Sequence, residues 1–273
     1  MDQCSTQDLD GAFTLEDGAV MRSPRSPDES SGGAAARLWL LPLMALVWSS
    51  NAAAYRPFDS TDADVVDPGE IEIELSPLSY RRGDGGNTLI APAVVVNYGF
   101  APRWEVIVEG EGEHPSGRGR SSMVGNALLL KHVIRDGSLQ AASGLSVATE
   151  FGFELPGINA ESGTGAIAAG IVSHESSWGA LHFTAEAVHT RDSSTELAFG
   201  SILEGPGEWP VRPVVEVFYA HELGEAEEAA VLVGAIWKFN DNLVFDAGVR
   251  RSVLGEERDT ELRLGLSFAF SVR

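Results

Sequence analysis

Two short clusters in this chain hold the residue types of nucleophilic hydrolysis. Ser173-His174-Glu175-Ser176 and His189-Thr190-Arg191-Asp192-Ser193 each combine a hydroxyl, an imidazole and a carboxylate. In such a site the imidazole takes the hydroxyl proton while the acid orients the ring, so the three side chains must converge. Neighbours on a β-strand point to opposite faces, which keeps Ser173 and His174 apart if that stretch is a strand. The second cluster falls beside a longer loop and stays open as the seed of a lipid-modifying hydrolase, with His189 as its base. Arg82-Gly83-Asp84 has the form of an adhesion tripeptide, but in a Gly-rich stretch these residues serve a turn on the first exposed loop. The six histidines, at 114, 132, 174, 182, 189 and 221, show no paired ligand spacing, and Glu111, Glu113 and His114 offer at most a weak cation site. No metal and no cofactor are implied, and no catalytic residue is assigned.

What must position these residues is legible from composition and periodicity. The chain has 273 residues and 44% hydrophobic content, which excludes wholesale disorder. Its 40 acidic residues against 19 basic give a net charge of -21, which argues against a nucleic-acid partner. Residues 37–54 form a targeting signal: an apolar run from Leu38 to Trp48, interrupted by Pro42, ends in Ala52-Ala53-Ala54. The run is too short to cross a bilayer of about 30 Å as a helix and has the small-residue end of a secretory signal, cut after Ala54. Residues 1–20 are acidic, the wrong sign for the start of a signal, which makes Met21, followed by Arg22, Arg25 and Arg37, a candidate start. The sole cysteine, Cys4, lies in the part removed, so the mature chain has no thiol for a disulfide or a metal. The domain plan is an extension and signal over 1–54, a periplasmic lead over 55–68 and one β-domain over 69–273.

Twelve segments of strand character follow, at 69–80, 88–100, 104–114, 122–135, 141–155, 164–174, 178–190, 195–204, 211–222, 229–239, 243–252 and 260–271. Most are longer than the five or six residues usual in soluble sheets and match tilted membrane strands. Short turns are expected at Ala101-Pro102-Arg103, Asp136-Gly137-Ser138, Ser176-Ser177 and Asn240-Asp241-Asn242, with longer joins at 81–87, 115–121, 156–163, 223–228 and 253–259. Short turns on one rim and long loops on the other is the plan of outer-membrane barrels, and an even strand count puts both ends in the periplasm. Trp104, Trp178, Trp209 and Trp237, with Phe268 and Phe270, gather beside the short turns as an aromatic girdle.

Alternation then sorts two faces. Lipid is expected to meet apolar positions such as Ile90, Val94, Ile167, Ile171, Phe183, Phe199, Val217 and Val233. The opposite phase supplies predicted pore-lining acids, Glu105, Glu109, Glu111, Glu150, Glu186, Glu216, Asp246 and Glu261, and bases, Lys131, Arg212, Lys238, Arg250 and Arg263. Small inward residues, among them Ala166, Ala168, Gly170, Gly200 and Gly248, leave room on several walls. Carboxylates so placed must be solvated, paired or neutralised. Glu105, Glu109, Glu111 and Glu216 would give a field favouring cations or neutral solutes, with Arg212, Arg250 and Arg263 as an opposing ladder.

The lead from Arg56 to Glu72, with Asp59-Ser60-Thr61-Asp62-Ala63-Asp64, and the endings Asn242-Leu243-Val244-Phe245-Asp246-Ala247-Gly248-Val249-Arg250 and Gly265-Leu266-Ser267-Phe268-Ala269-Phe270 carry a resemblance. Together they resemble the outer-membrane transporter family named after the meta-pathway of phenol degradation. The resemblance implies an outer-membrane barrel, described as a transporter or channel, without a cofactor.

The sequence therefore predicts an all-β, 12-stranded antiparallel up-and-down transmembrane β-barrel behind a cleaved signal peptide, in the outer membrane of a Gram-negative cell. Its function is expected to be a passive pore or importer for small solutes, not an enzyme, with outer-membrane lipid and the barrel-assembly machinery as partners. A lipid-modifying hydrolase and a closed structural barrel with binding loops are the alternatives.

Overall fold

The structure is a computed structural model that describes residues 57–84, 86–117, 119–224, 227–255 and 258–272. The expected signal and the extension before it lie outside the described residues. Twelve strands run in chain order: β1 (Glu70–Gly83), β2 (Gly86–Ala101), β3 (Trp104–Pro115), β4 (Ser122–Arg135), β5 (Ser146–Glu154), β6 (Gly165–Ser176), β7 (Gly179–His189), β8 (Thr195–Glu204), β9 (Val211–Glu222), β10 (Glu227–Asn240), β11 (Leu243–Leu254) and β12 (Asp259–Ser271). Each pairs antiparallel with the next and β1 closes on β12, so the sheet is an up-and-down barrel without a free edge. Strands of 9 to 16 residues are long enough to cross a hydrocarbon layer at a tilt.

Period-two alternation decides which side chains meet lipid. On the outside Phe183, Phe199, Val217 and Val233 are 50–57% exposed, whereas Ala198, Val214, Glu216 and Leu232, one position away from such residues, are 1–3% exposed. An uninterrupted apolar belt around a closed sheet faces lipid, because no soluble barrel keeps that much apolar surface in water.

Four local expectations are corrected. β6 has the opposite phase: Ile167 and Ile171 point inward and Ala166, Ala168 and Gly170 outward, with Ile171 fully buried. Both faces of β6 are small or apolar, so hydrophobicity could not phase it. Its neighbours do: Ile171 pairs with Ala148 and Thr184, both inward. Ile90 also points inward, since the β2–β3 ladder slips between Ile90 and Ala93 and the slip reverses the phase of the preceding residues. The turn expected at Asp136-Gly137-Ser138 is the start of a ten-residue connection, 136–145, with a 3-10 turn at Ser138–Gln140. Finally β1 and β2 run on to Gly83 and Gly86, so Arg82 and Gly83 belong to a strand and only Asp84 of the tripeptide to the turn.

These changes weaken the contrast in loop length between the rims. The rim expected to be periplasmic carries two-residue turns at 102–103, 177–178 and 241–242 but also the segments 136–145 and 205–210. The chain ends mark it better: Glu70 pairs with Ser271, so β1 begins and β12 finishes there.

The inverted phase of β6 is checkable. Ala168→Arg should lower the unfolding free energy in lipid vesicles by about 2–4 kcal/mol, the cost of a cation on the lipid face near mid-bilayer. A urea titration with no loss would return Ala168 to the lumen.

Candidate functional site

The lead does not hang below the barrel. Residues 57–68, expected as a periplasmic lead, turn back from the start of β1 and run up inside the lumen, because the barrel wall offers partners for their backbone that water alone would otherwise supply. Glu105 accepts the Val66 N–H at 2.8 Å. Higher up, Ser173 Oγ accepts the Ala63 N–H at 2.9 Å and Thr184 donates to the Thr61 carbonyl at 2.9 Å. Glu216 receives three donors, the amides of Asp59 and Ser60 at 2.8 Å each and Ser60 Oγ at 2.6 Å. Arg263 Nη1 donates to the Pro57 carbonyl at 2.8 Å. The connection 136–145 closes over this rim, with Gln140 Nε2 donating to the Ala63 carbonyl at 2.9 Å and to Asp64 at 3.0 Å.

Three inward glycines are the seats of this plug. A methyl group added to Gly99 would lie 2.3 Å from the Asp67 and Val66 carbonyl oxygens, one on Gly200 2.3 Å from Ser60 Oγ, and one on Gly248 3.1 Å from Pro57. The room left at Gly200 and Gly248 is thus filled by chain, not water. Phe58 packs on Val214, Leu232, Ile236 and Val244, an apolar corner of the lumen.

Charge fixes the upper end. Asp59 lies between two arginines, Arg250 Nε to Oδ2 and Arg263 Nη2 to Oδ1, both 2.6 Å. Burial alone would push the Asp59 carboxyl up, but the charges of Arg263 and Arg250 and their hydrogen bonds overcome it and hold it below the ordinary carboxylate range. Asp64 is the converse: burial, with Asp62 beside it, pushes it up to about 6 against the hydrogen bond from Gln140.

The predicted lining residues therefore divide. Glu105 and Glu216 cap plug amides, and Arg250 and Arg263 clamp Asp59. Lys131, fully buried, points its Nζ to Thr61 Oγ1 at 3.1 Å, with Asp62 at 3.9 Å. Arg212 pairs with Glu204 at 2.8 Å, away from Arg250 and Arg263, so the three do not form one ladder. Asp246 is buried over Gly265, and Lys238 sits at the rim, 3.1 Å from Asp241. Glu109, Glu111, Glu150, Glu186 and Glu261 line a luminal cavity of about 450 Å³ whose floor is the plug at Phe58, Asp59, Ser60 and Thr61.

The hydrolase residues separate as well. Ser173 faces the lumen, whereas His174 lies on the other face within 3.5 Å of Ser138 Oγ. The imidazole that reaches Ser173 is His182, Nδ1 at 2.9 Å, with Glu204 3.8 Å beyond its Nε2. That relay spans three adjacent strands, β6, β7 and β8, with Ser173 and His182 nine residues apart, so no local motif could reveal it. Ser173 is fully buried and holds the Ala63 amide, leaving no space for an acyl group. His189 is exposed on the outer phase of β7. His114 has both ring nitrogens engaged, by Ser121 Oγ and the Ala91 carbonyl at 2.8 Å each, and among the described residues no three His, Cys, Asp or Glu are placed to hold a metal.

On the outer surface Trp178, Trp209 and Trp237 are 47–56% exposed beside the connections of the rim that carries the chain ends. Trp104 stacks on His132 at 4.0 Å, and Phe268 stacks on Phe270 at 6.3 Å.

No protein-family model and no curated protein sequence matches the chain. Solved structures do. A KdgM porin in complex with disordered oligogalacturonate superimposes with a TM-score of 0.51 at 12% identity, over 73% of this chain and 99% of that one. The barrel has the fold of a porin. A second KdgM porin structure gives 0.49 at 11% identity, over 73% and 99%, and the CymD monoaromatic hydrocarbon channel 0.39 at 10%, over 76% and 90%.

Two outcomes follow from the clamp. Asp59→Ala leaves two largely buried guanidinium groups short of an anion and should cost about 3–5 kcal/mol, read by thermal or urea unfolding in detergent. Asp64, raised to about 6, costs stability when ionised, so the cost is present above pH 6 and fades as pH falls toward its unfolded value. Asp64→Asn should therefore raise the melting temperature at pH 8 and change little at pH 4.5. Asp59, held low, stays ionised over that window and does not mask the effect. An equal gain at both values would show that Asp64 carries no such penalty.

Proposed function

We propose that this chain is an outer-membrane pore for the passive passage of small solutes, performs no catalysis, and is closed at rest by its own residues 57–68. One observation carries the reading: a cavity of about 450 Å³ inside the barrel ends on a floor of chain that is hydrogen-bonded into place and, among the described residues, continues covalently into the wall at β1. The apolar outer belt and the shared rim of the two chain ends support an exported barrel in the bacterial outer membrane, inserted by the assembly machinery that handles such strands. Kinship with the phenol meta-pathway transporter family belongs to the same proposal, and rests on the lead and the closing strands. The occupation of Ser173 by the plug supports a transporter over a hydrolase.

Charge sets the selectivity of the proposed path. The KdgM porin is solved with an oligogalacturonate, a polyanion. Here Glu74, Glu109, Glu111, Glu150, Glu186 and Glu261 face the cavity and, among the described residues, Arg81 and Arg263 are the bases that line it, so anions would be repelled and cations or neutral solutes admitted. The number of bonds on the plug also favours the closed structural barrel as a second reading.

Planar-bilayer recording separates the two. The wild type should conduct weakly or in rare openings, and Asp59→Ala with Glu216→Gln should raise the conductance several-fold with a cation preference. Silence from both proteins would leave the closed barrel, and an anion preference would remove the proposed role of the carboxylates.

A further inference from the structure

The wall of the lumen facing this cavity is built in layers, and the layers set a ligand class. Register places Ile107 beside Leu129, Leu129 beside Gly152, Gly152 beside Ile167 and Ile167 beside Val188, an apolar shelf across five adjacent strands. One step toward the plug, Lys131 pairs with Glu150, and Ala169 bridges Glu150 to Glu186. One step the other way, Glu109 pairs with Ala127 and with Val95. Inward positions on a strand are two residues, about 7 Å, apart, so carboxylates stand within reach above and below the shelf.

The cations near these acids are committed elsewhere. Arg81 is held by Glu113 at 2.9 Å and Glu261 at 3.2 Å, Arg263 by Asp59 and Glu261, and Lys131 turns its Nζ to the plug. No hydrogen bond reaches Glu109, Glu150 or Glu186 among the described residues, and Glu150, 7% exposed, lines the cavity with the charge of Lys131 nearby but its Nζ turned to the plug. A buried carboxylate aimed into a cavity without a donor costs free energy until a donor arrives. Glu109 feels Glu150, Glu186, Glu74 and Glu111 around it. Yet no three of these acids are close enough together to chelate a metal ion. A donor that spans separated carboxylates and covers an aliphatic shelf is larger than a bare ion.

We infer that the β3–β7 wall above the plug is a binding site for an organic ammonium ion with an apolar body, its ammonium hydrogen-bonded by Glu109, Glu150 or Glu186 and its body on Ile107, Leu129 and Ile167. The inference rests on the pore reading and names the class of solute that enters. The cavity, about 450 Å³, lies in the range of about 300–1,000 Å³ typical of small-molecule sites.

Calorimetric titration of the full-length protein in a zwitterionic detergent at low salt tests it with 2-phenylethylammonium, 2-phenylethanol and phenylacetate. The ammonium should bind at least tenfold more tightly than the alcohol, with no detectable binding of the carboxylate. Glu109→Gln with Glu186→Gln should weaken the ammonium about tenfold and leave the alcohol unchanged, and 0.5 M sodium chloride should weaken it in the wild type without any substitution. Leu129→Ala should weaken both. Val233→Ala, on the lipid belt, should weaken neither. Equal affinity for ammonium and alcohol, or an ammonium indifferent to salt and to the double substitution, overturns the site. Binding needs no conduction: a protein that binds the ammonium but passes no current keeps the site and loses the pore, and one that conducts without discriminating loses only the site.

Discussion

A charged group inside a membrane barrel has to be hydrated or paired, and everything in this lumen follows from how that demand is met. Twelve strands enclose more space than their own inward side chains fill, yet less than a wide water column occupies. Some wall acids and bases pair along the sheet, as Arg81 does with Glu261 and Arg212 with Glu204, but Glu216 takes all three of its hydrogen bonds from the lead. The chain supplies the missing layer itself: the lead brings Asp59 to two arginines and offers its amides to Glu216 and Glu105. Wall and plug are each other's counter-charges, and neither is satisfactory alone.

This exchange is directional along the barrel. From the rim that carries the chain ends up to the clamp on Asp59, bases and acids are consumed in holding the plug, while Arg212 pairs with Glu204 on the wall. Farther in, the plug stops, the arginines are already engaged, and carboxylates outnumber cations around the open volume. A single chain therefore builds a neutralised floor and a negative chamber from one pool of side chains, dividing them by how far the lead reaches.

The fold was legible because alternation over strands such as β12 is long and unambiguous: Leu262, Leu264 and Leu266 against Glu261, Arg263 and Gly265 leave one possible phase. β6 was not, since Ala166, Ala168 and Gly170 are as acceptable to lipid as Ile167 and Ile171, and only pairing with β5 and β7 fixes which set turns in. Inward orientation of Glu105, Glu216, Arg250 and Arg263 could be read from period two. Their partner could not, because Asp59 is 157 residues from Glu216 in the nearest registered contact and 191 from Arg250, and the lead has neither strand nor helix periodicity to announce a fixed conformation. The glycines gave the one available signal. Gly200 and Gly248 break otherwise apolar or charged inward rows, and a missing side chain in a wall marks where something else approaches closely.

The plug is held chiefly through its main chain. Amides of Asp59, Ser60, Ala63 and Val66 and carbonyls of Pro57, Thr61 and Ala63 make the contacts, while among its side chains Asp59 and Ser60 bear the strongest anchors. Main-chain groups are the same whatever residue carries them. The lead can thus drift in composition over evolutionary time while remaining seated, provided an acid is kept at position 59 and the receiving wall keeps its glycines. Selection on such a segment would act on its length and on a few positions, so related barrels could keep the same closure with leads that no longer align.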